Sequence, residues 1–404
     1  MGQQQRLPGE PKDLIPSPDV TVVNRWYYPP ELKNDMENSG ISKETRDEVL
    51  ATAWEYTRCV IPEFTNWSRY LAFVRVIAMC TVCEFRGDLF NVVESRQAVG
   101  YNADAVADDL FKGTPGHDAM ARELRSFLLI VADKAGPRRE GELFRRYVNA
   151  LARSPRQWFR MRDGDALARF TIAAAMACND LDDVYFSDAQ FEILTELADT
   201  LYDAVAFFKH RSEGETNSTF AYVPVELRVH AFHQARETLW ALDTCWAMKP
   251  ELRHVVNFIR NIGGPIHMVM RRYRFVEENL TIGTPETTKI IDEARRNVKL
   301  WNRVDAKEEG KSSGSLDVQR YESIIRGPHE DLMYHELNEF LEDSDGATCT
   351  NCNFRQTYGA DNNHRFGGVE LCQKCKVAWG NYIQSFPKRT LDAFPELEGL
   401  DGFA

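Results

Sequence analysis

Apolar residues recur at three- and four-residue spacing along most of the chain. This predicts amphipathic helices over residues 43–60, 67–86, 117–134, 140–152, 164–178, 188–210, 225–247, 251–261, 264–279, 286–301 and 318–342. Pro250 and the Thr284-Pro285 pair mark helix starts, because proline in the first turn forfeits no helical hydrogen bond. Ser187, with Gln190 three residues later, forms a capping box ahead of the helix at 188. Alternating strand patterns are scarce outside a cysteine-bearing stretch near the C-terminus, and the Gly/Ser-containing run 306–315 reads as a linker. No internal repeat is visible. The expected organisation is a mobile tail (1–40), an all-helical domain carrying the chemistry (41–305), a linker with a helix (306–345), and a small cysteine module with an acidic tail (346–404).

The helix at 188–210 sorts its residues by kind. At about 100° per residue, Glu192, Glu196, Asp199 and Asp203 fall within an arc of roughly 60°. Leu194, Leu197, Leu201, Val205 and Phe208 occupy the opposite face. No Lys or Arg interrupts the acidic stripe, and like charges at i,i+4 cost about 0.2–0.5 kcal/mol per pair, so a bound cation would relieve strain. The chain then turns basic at Lys209, His210 and Arg211 and continues through Glu213, Glu215, Asn217 and Ser218. Carboxylates for a hard metal beside cations for its anionic ligand suit a Mg²⁺–phosphate site, with Glu196, Asp199, Asp203 and Glu213 as metal ligands. The plainer reading is a solvated face opposite an apolar one. On the helix expected at 264–279, His267, Arg271, Arg274 and Glu278 share a similar arc, flanked by Arg272 and Tyr273. Arginine forks are the preferred partners of phosphate oxygens. Lys209, Arg211, Asn217, His267, Arg271, Arg272, Tyr273 and Arg274 are therefore the candidate anion-binding residues.

Charge and composition narrow the alternatives. The net charge of −12 argues against broad affinity for nucleic acid or anionic membrane. The apolar stretch Tyr70–Phe85 is interrupted by Arg75 and is too short to span a bilayer. The N-terminal MGQQQRLPGEPKDLIPSP lacks the apolar core of a secretory signal, so a cytoplasmic protein is expected, with self-association left open.

Of the nine cysteines, Cys59, Cys178 and Cys245 lie singly in apolar segments, and Cys80 and Cys83 sit inside a buried-type helix. Cys349-x₂-Cys352 and Cys372-x₂-Cys375, separated by nineteen residues, have zinc spacing. Four thiolates close a tetrahedral shell and leave no open position, so the expected zinc is structural and supplies folding energy to a segment poor in aliphatic residues.

Several other chemistries fail at the level of motif. Neither a Gly-rich phosphate loop, a G-x-S-x-G elbow nor an H-E-x-x-H helix is present. His117-Asp118 suggests an HD-type metallohydrolase, but no earlier histidine exists to complete it. Asn179-Asp180-Leu181-Asp182-Asp183 follows an apolar helix, as the Mg²⁺-binding aspartates of class I terpene synthases do; a turn into the Ser187 cap explains it more simply.

The segments YDAVAFFKHRSEGETNSTFAYVP, GGPIHMVMRRYRFVEENLTIG and LWNRVDA, with the C-terminal CTNC…GGVELCQKC, resemble the fungal α-ionylideneethane synthase family of abscisic acid biosynthesis. The resemblance extends over most of the chain from about residue 170. It implies a helical, terpene-synthase-like bundle and an unusual sesquiterpene synthase that takes farnesyl diphosphate with Mg²⁺ and releases diphosphate, without the standard class I metal motifs. It also implies proton removal and redelivery inside the pocket. Phe207, Phe208, Tyr222, Trp240, Met268 and Phe275 are candidate lining residues for such a substrate. The rival reading is a regulator, because CTNC-x₁₉-CQKC has the spacing of a GATA-type DNA-binding finger. Six Lys/Arg between Cys349 and Arg389 face only Asp361 and Glu370, but the tail LDAFPELEGLDGFA is acidic, so nucleic acid is not the expected partner.

Overall fold

Helix starts in this chain are written in short polar residues. In the computed structural model, Ser42, Asn66, Asn102 and Ser154 each accept a backbone N–H of the first turn they precede. The capping box is reciprocal: the Ser187 N–H donates to Gln190 Oε1 at 3.0 Å and the Gln190 N–H to Ser187 Oγ at 3.3 Å. The structure describes residues 26–135, 141–270 apart from 213 and 216, 346–355 and 366–400, together with 273, 287–289, 319, 321–324, 337 and 339–341.

The helices are α1 (Lys43–Val60), α2 (Trp67–Cys83), α3 (Ala103–Phe111), α4 (His117–Lys134), α5 (Glu142–Asn149), α6 (Pro155–Ala166), α7 (Ala168–Ala177), α8 (Asp188–Ser212), α9 (Val225–Cys245), α10 (Arg253–Ile262) and α11 (Pro265–Val269), then α12 (Gln373–Gln384) and α13 (Phe386–Ala393). Two short antiparallel ladders complete the described residues, β1 (Gln97–Ala98) with β2 (Tyr101–Asn102), and β3 (Asn353–Phe354) with β4 (Val369–Glu370). The protein is all-α. No helix among the described residues is long and apolar enough to cross a membrane.

The core forms where α2 packs against α1 and α3, and where α8 lies against α6, α7, α9 and α10. α2 and α7 are buried on nearly every face, which is why their sequences show weak amphipathic contrast. The continuous helix expected at 164–178 is two helices. Leu167, at φ 55°, breaks it, and the Arg169 N–H is taken by the Asp163 carboxylate at 2.9 Å. Leucine in the left-handed region is costly and needs surrounding structure to hold it. α3, the first part of α6, and α12 and α13 were not expected from periodicity. The helical stretch expected at 264–279 is described as helix only to Val269; the helix at 286–301 and most of 306–345 lie outside the described residues.

The C-terminal module does not stand apart. The Trp379 indole N–H donates to the Leu151 carbonyl at 3.0 Å, and the Cys349 N–H donates to that of Ala152 at 3.0 Å. Phe159 stacks on Tyr382, and Phe394 meets Trp246 edge-on. α12 and α13 thus pack against α6, α8 and α9.

Candidate active site

α8 is the axis of the site, and its acidic stripe is less bare than its sequence suggests. Arginines from other helices reach three of the four carboxylates. Glu192 pairs with Arg156. Glu196 faces the C-terminal module: Arg389 grips both of its oxygens at 2.7 Å, and the Tyr382 hydroxyl donates to it at 2.8 Å. Asp203 receives both arms of Arg162, at 2.9 and 3.1 Å, and the N–H and hydroxyl of Thr219, each at 2.8 Å. Glu196 and Asp203, two of the expected metal ligands, are 4% and 0% exposed and are paired with cations and donors of the protein itself, unlike the bare stripe that the sequence suggested.

Asp199 is different. It is 3% exposed, and its Oδ2 has no hydrogen-bond partner among the described residues. Burial drives its pKa well above the ordinary carboxylate value, with Arg162 opposing the shift and Asp163, Asp203 and Asp165 adding to it. Without a bound cation beside it, burial works against the charged form of Asp199.

Asp199 borders a cavity of ≈ 200 Å³ enclosed by α1, α2, α4, α6, α7, α8 and α10. Its lining includes the apolar and aromatic Ile77, Phe127, Leu167, Tyr202, Phe258 and Ile262. It also includes Lys134, Arg162, His210, Glu84, Asp165, Glu215 and Asn217. Asp165 is the hub of a polar cluster. Lys134 forms an ion pair with it, the Asn217 amide donates to it at 2.6 Å, and Arg162 and the Tyr147 hydroxyl each reach it at 3.1 Å. Burial pushes the Asp165 carboxyl up, but Lys134 and Arg162 outweigh burial and hold it below the ordinary value. A neighbouring buried network of Glu123, Arg160, Asp163 and Arg169 fixes α4, α6 and α7 relative to one another.

The anion-binding candidates divide. Tyr273 and Asn217 line the cavity. Lys209 lies 4.8 Å from the centre of the Tyr273 ring, and His267 packs between Tyr202 and Tyr273. Burial, with Lys209 adding to it, lowers the His267 pKa well below the ordinary imidazole value, so His267 is a neutral ring rather than a cation. Arg211 does not join them. Two residues beyond Lys209, its guanidinium stacks on Phe207 and Phe208 beside Arg228. Arg271, Arg272, Arg274 and Glu213 lie outside the described residues.

Of the expected lining residues, Phe207 and Phe208 carry those arginines, Tyr222 packs against Trp158, and Trp240 and Met268 are more than half exposed. None of these borders the cavity, and Phe275 lies outside the described residues. Asp180 and Asp182 form a turn: Asp180 accepts from Thr65 and Asn66 at 2.8 Å each, and Asp182 pairs with Arg69.

Periodicity missed Lys134, Arg162 and Asp165. The available signal was the charge-dense run Arg160–Asp165 on a helix flanked by apolar segments, where buried charge needs partners.

The four module cysteines present their sulfurs within 4.8 Å of one another, a group that could hold a metal ion, and it is the one such group of three or more among the described residues. α12, which follows Cys372, is packed against the bundle through Trp379, Tyr382 and Ile383. The opposite face of α12, with Gln373, Lys374, Val377, Ala378 and Asn381, is exposed.

Comparison with known proteins identifies relatives over most of the chain. Residues 24–396 match the family model described as "Alpha-ionylideneethane synthase aba3". The chain is 55% identical to the alpha-ionylideneethane synthase aba3 of Botryotinia fuckeliana strain B05.10, over 98% of this chain and 91% of that protein. It is 59% identical to abl3 of Leptosphaeria maculans, over 93% and 87%, and 49% identical to abl3 of Pyricularia oryzae, over 92% and 83%. The chain belongs to the alpha-ionylideneethane synthase family.

Proposed function

We propose that the protein is a cytoplasmic sesquiterpene synthase that converts farnesyl diphosphate, with Mg²⁺, to α-ionylideneethane or a closely related hydrocarbon and releases diphosphate. The observation that carries this reading is a cavity lined by both apolar and charged side chains, in a chain whose relatives are named synthases. A farnesyl chain is greasy and its head is anionic. Ile77, Phe127, Leu167, Phe258 and Ile262 suit the chain, and Lys134, Arg162 and His210 supply the basic groups for the head, Lys134 and Arg162 from within their ion pairs with Asp165 and Asp203. Tyr202 and Tyr273 present aromatic faces able to stabilise a developing allylic cation.

Mg²⁺ would supply charge to the departing diphosphate. The donor set fits an ion that arrives with its substrate rather than a preformed cage. The half-buried Glu84 and Glu215 offer hard oxygens in the cavity lining, and Mg²⁺ commonly takes one or two carboxylates and completes its shell with phosphate oxygens and water. Glu213, two residues before Glu215, extends the same acidic run. The Cys349, Cys352, Cys372 and Cys375 sulfurs suit Zn²⁺, whose closed thiolate shell is structural.

The direct test incubates purified protein with farnesyl diphosphate and Mg²⁺ and identifies hydrocarbon by gas chromatography–mass spectrometry. Product that vanishes on chelation supports the reading. Product unaffected by EDTA removes the Mg²⁺ role. No product from farnesyl diphosphate, with turnover of geranylgeranyl diphosphate instead, reassigns the substrate.

A further inference from the structure

Formation of any C15 hydrocarbon from farnesyl diphosphate must lose one proton. The C–O bond breaks with its electron pair going to diphosphate, and the resulting cation becomes neutral only when a C–H bond gives up its proton. Something in the cavity has to take that proton, and something eases the leaving oxygen away.

Asp199 is placed for both tasks. It lines the cavity, one turn of α8 before Tyr202 and Asp203. It is 97% buried by its 3% exposure, yet its Oδ2 has no hydrogen-bond partner among the described residues. The aspartates that face it are committed: Asp203 to Arg162 and Thr219, Asp165 to Lys134 and Asn217, Asp163 to Arg160 and Arg169. A buried polar atom left unsatisfied costs free energy, and such atoms persist where function uses them. Burial also favours the protonated carboxyl.

We propose that Asp199 is a catalytic acid and base for the reaction proposed above: its carboxyl gives its proton to the departing diphosphate oxygen, and the carboxylate so formed takes a proton from the hydrocarbon cation. The steps balance. The C–O bond breaks, an O–H bond forms on diphosphate, and the Asp199 carboxylate is left facing Arg162, whose charge stabilises it while it is ionised. A C–H bond next to the cationic centre then breaks, its electron pair becomes a π bond, and the carboxyl is restored. Ring closure between the two steps changes neither the atom count nor the charge, and no oxidant or reductant is consumed. The charged groups that face Asp199 are Arg162, Asp163 and Asp165 from α6 and Asp203 on its own helix.

The inference rests on the proposed substrate, and the tests separate the two. Wild-type protein is first assayed with farnesyl diphosphate; if it makes no hydrocarbon, the functional reading falls and this inference with it. If wild type turns over, Asp199→Asn is compared with it. The expected result is a loss of about 10²–10⁴-fold in kcat with KM changed only a few-fold, and partial recovery in Asp199→Glu. Wild-type kcat should fall as pH rises and the acid form is lost, and it should slow in D₂O; the residual rate of Asp199→Asn should show neither dependence. Wild-type kcat in Asp199→Asn would overturn the inference, as would a raised KM at unchanged kcat, which marks a binding role only. If the variant does not fold, the wild-type measurements decide: turnover indifferent to D₂O and to rising pH removes Asp199 from the chemistry.

Discussion

At the scale of single residues, opposite pKa shifts in one polar cluster give opposite pH dependences. Asp199 titrates above the ordinary carboxylate value in the folded protein because of burial. A raised carboxyl binds its proton more tightly in the folded state than in the unfolded one. Its contribution to stability is therefore complete at low pH and is lost as pH rises through the folded value. Asp199→Asn removes that loss, so the variant should be more stable than wild type at pH 8–9 and closer to it at pH 5, as urea denaturation at the two pH values would measure. A less active but more stable variant is the usual sign of a site that trades stability for chemistry. Asp165 is held low despite burial, by Lys134 and Arg162. Its contribution is present above the unfolded carboxylate pKa and is lost as pH falls through the lower folded value. Removing its charge partner is the harsher change. Arg162→Ala strands Asp203 at 0% exposure and should cost about 3–5 kcal/mol. A variant that unfolds at the wild-type urea midpoint would show that water or other donors replace the guanidinium.

At the scale of elements, α8 is held at its start and in the middle. The Ser187–Gln190 box fixes its start, and Ser187→Ala should cost about 1 kcal/mol. The Arg389–Glu196 pair, with Tyr382, ties its centre to α12 and α13. Arg389 is a quarter exposed at its side chain, so its loss is softened by solvent; Arg389→Ala should still cost about 2–3 kcal/mol, because Glu196 stays buried without its cation. A double-mutant cycle with Glu196→Gln should recover most of that loss, and additive single effects would show that the two residues are not coupled. The capping box was legible in the sequence because it is local. The Arg389 latch was not, because its partners lie 193 residues apart.

At the scale of the whole molecule, the cysteine module behaves as part of the synthase body. Cys372→Ser should lower the thermal midpoint and solubility while any folded fraction makes the same product as wild type. Metal analysis of purified protein should find one zinc per chain, and protein that is folded and zinc-free would refute the structural site. Sequence-specific binding to duplex DNA at physiological salt would support the regulator reading instead.

The sequence alone determined what depends on nearest neighbours and fixed spacings. Helix periodicity defined α1 and α4 to the residue, capping chemistry placed the start of α8, and two C-x₂-C pairs identified the metal-capable cluster. It also carried the resemblance that marks the family. What it left undetermined was the use of each charge. A stripe of four carboxylates looks uniform along one helix, yet tertiary packing gave Glu192 to Arg156, Glu196 to the C-terminal module and Asp203 to Arg162, and left Asp199 alone at the cavity. The same packing put Lys134 and Asp165, from α4 and α6, into one cavity lining. The physical reason is range. Helix geometry is decided within a few residues, whereas the pairing and burial of a charge depend on which distant helix lies against it, and a single sequence does not encode that adjacency in any local pattern.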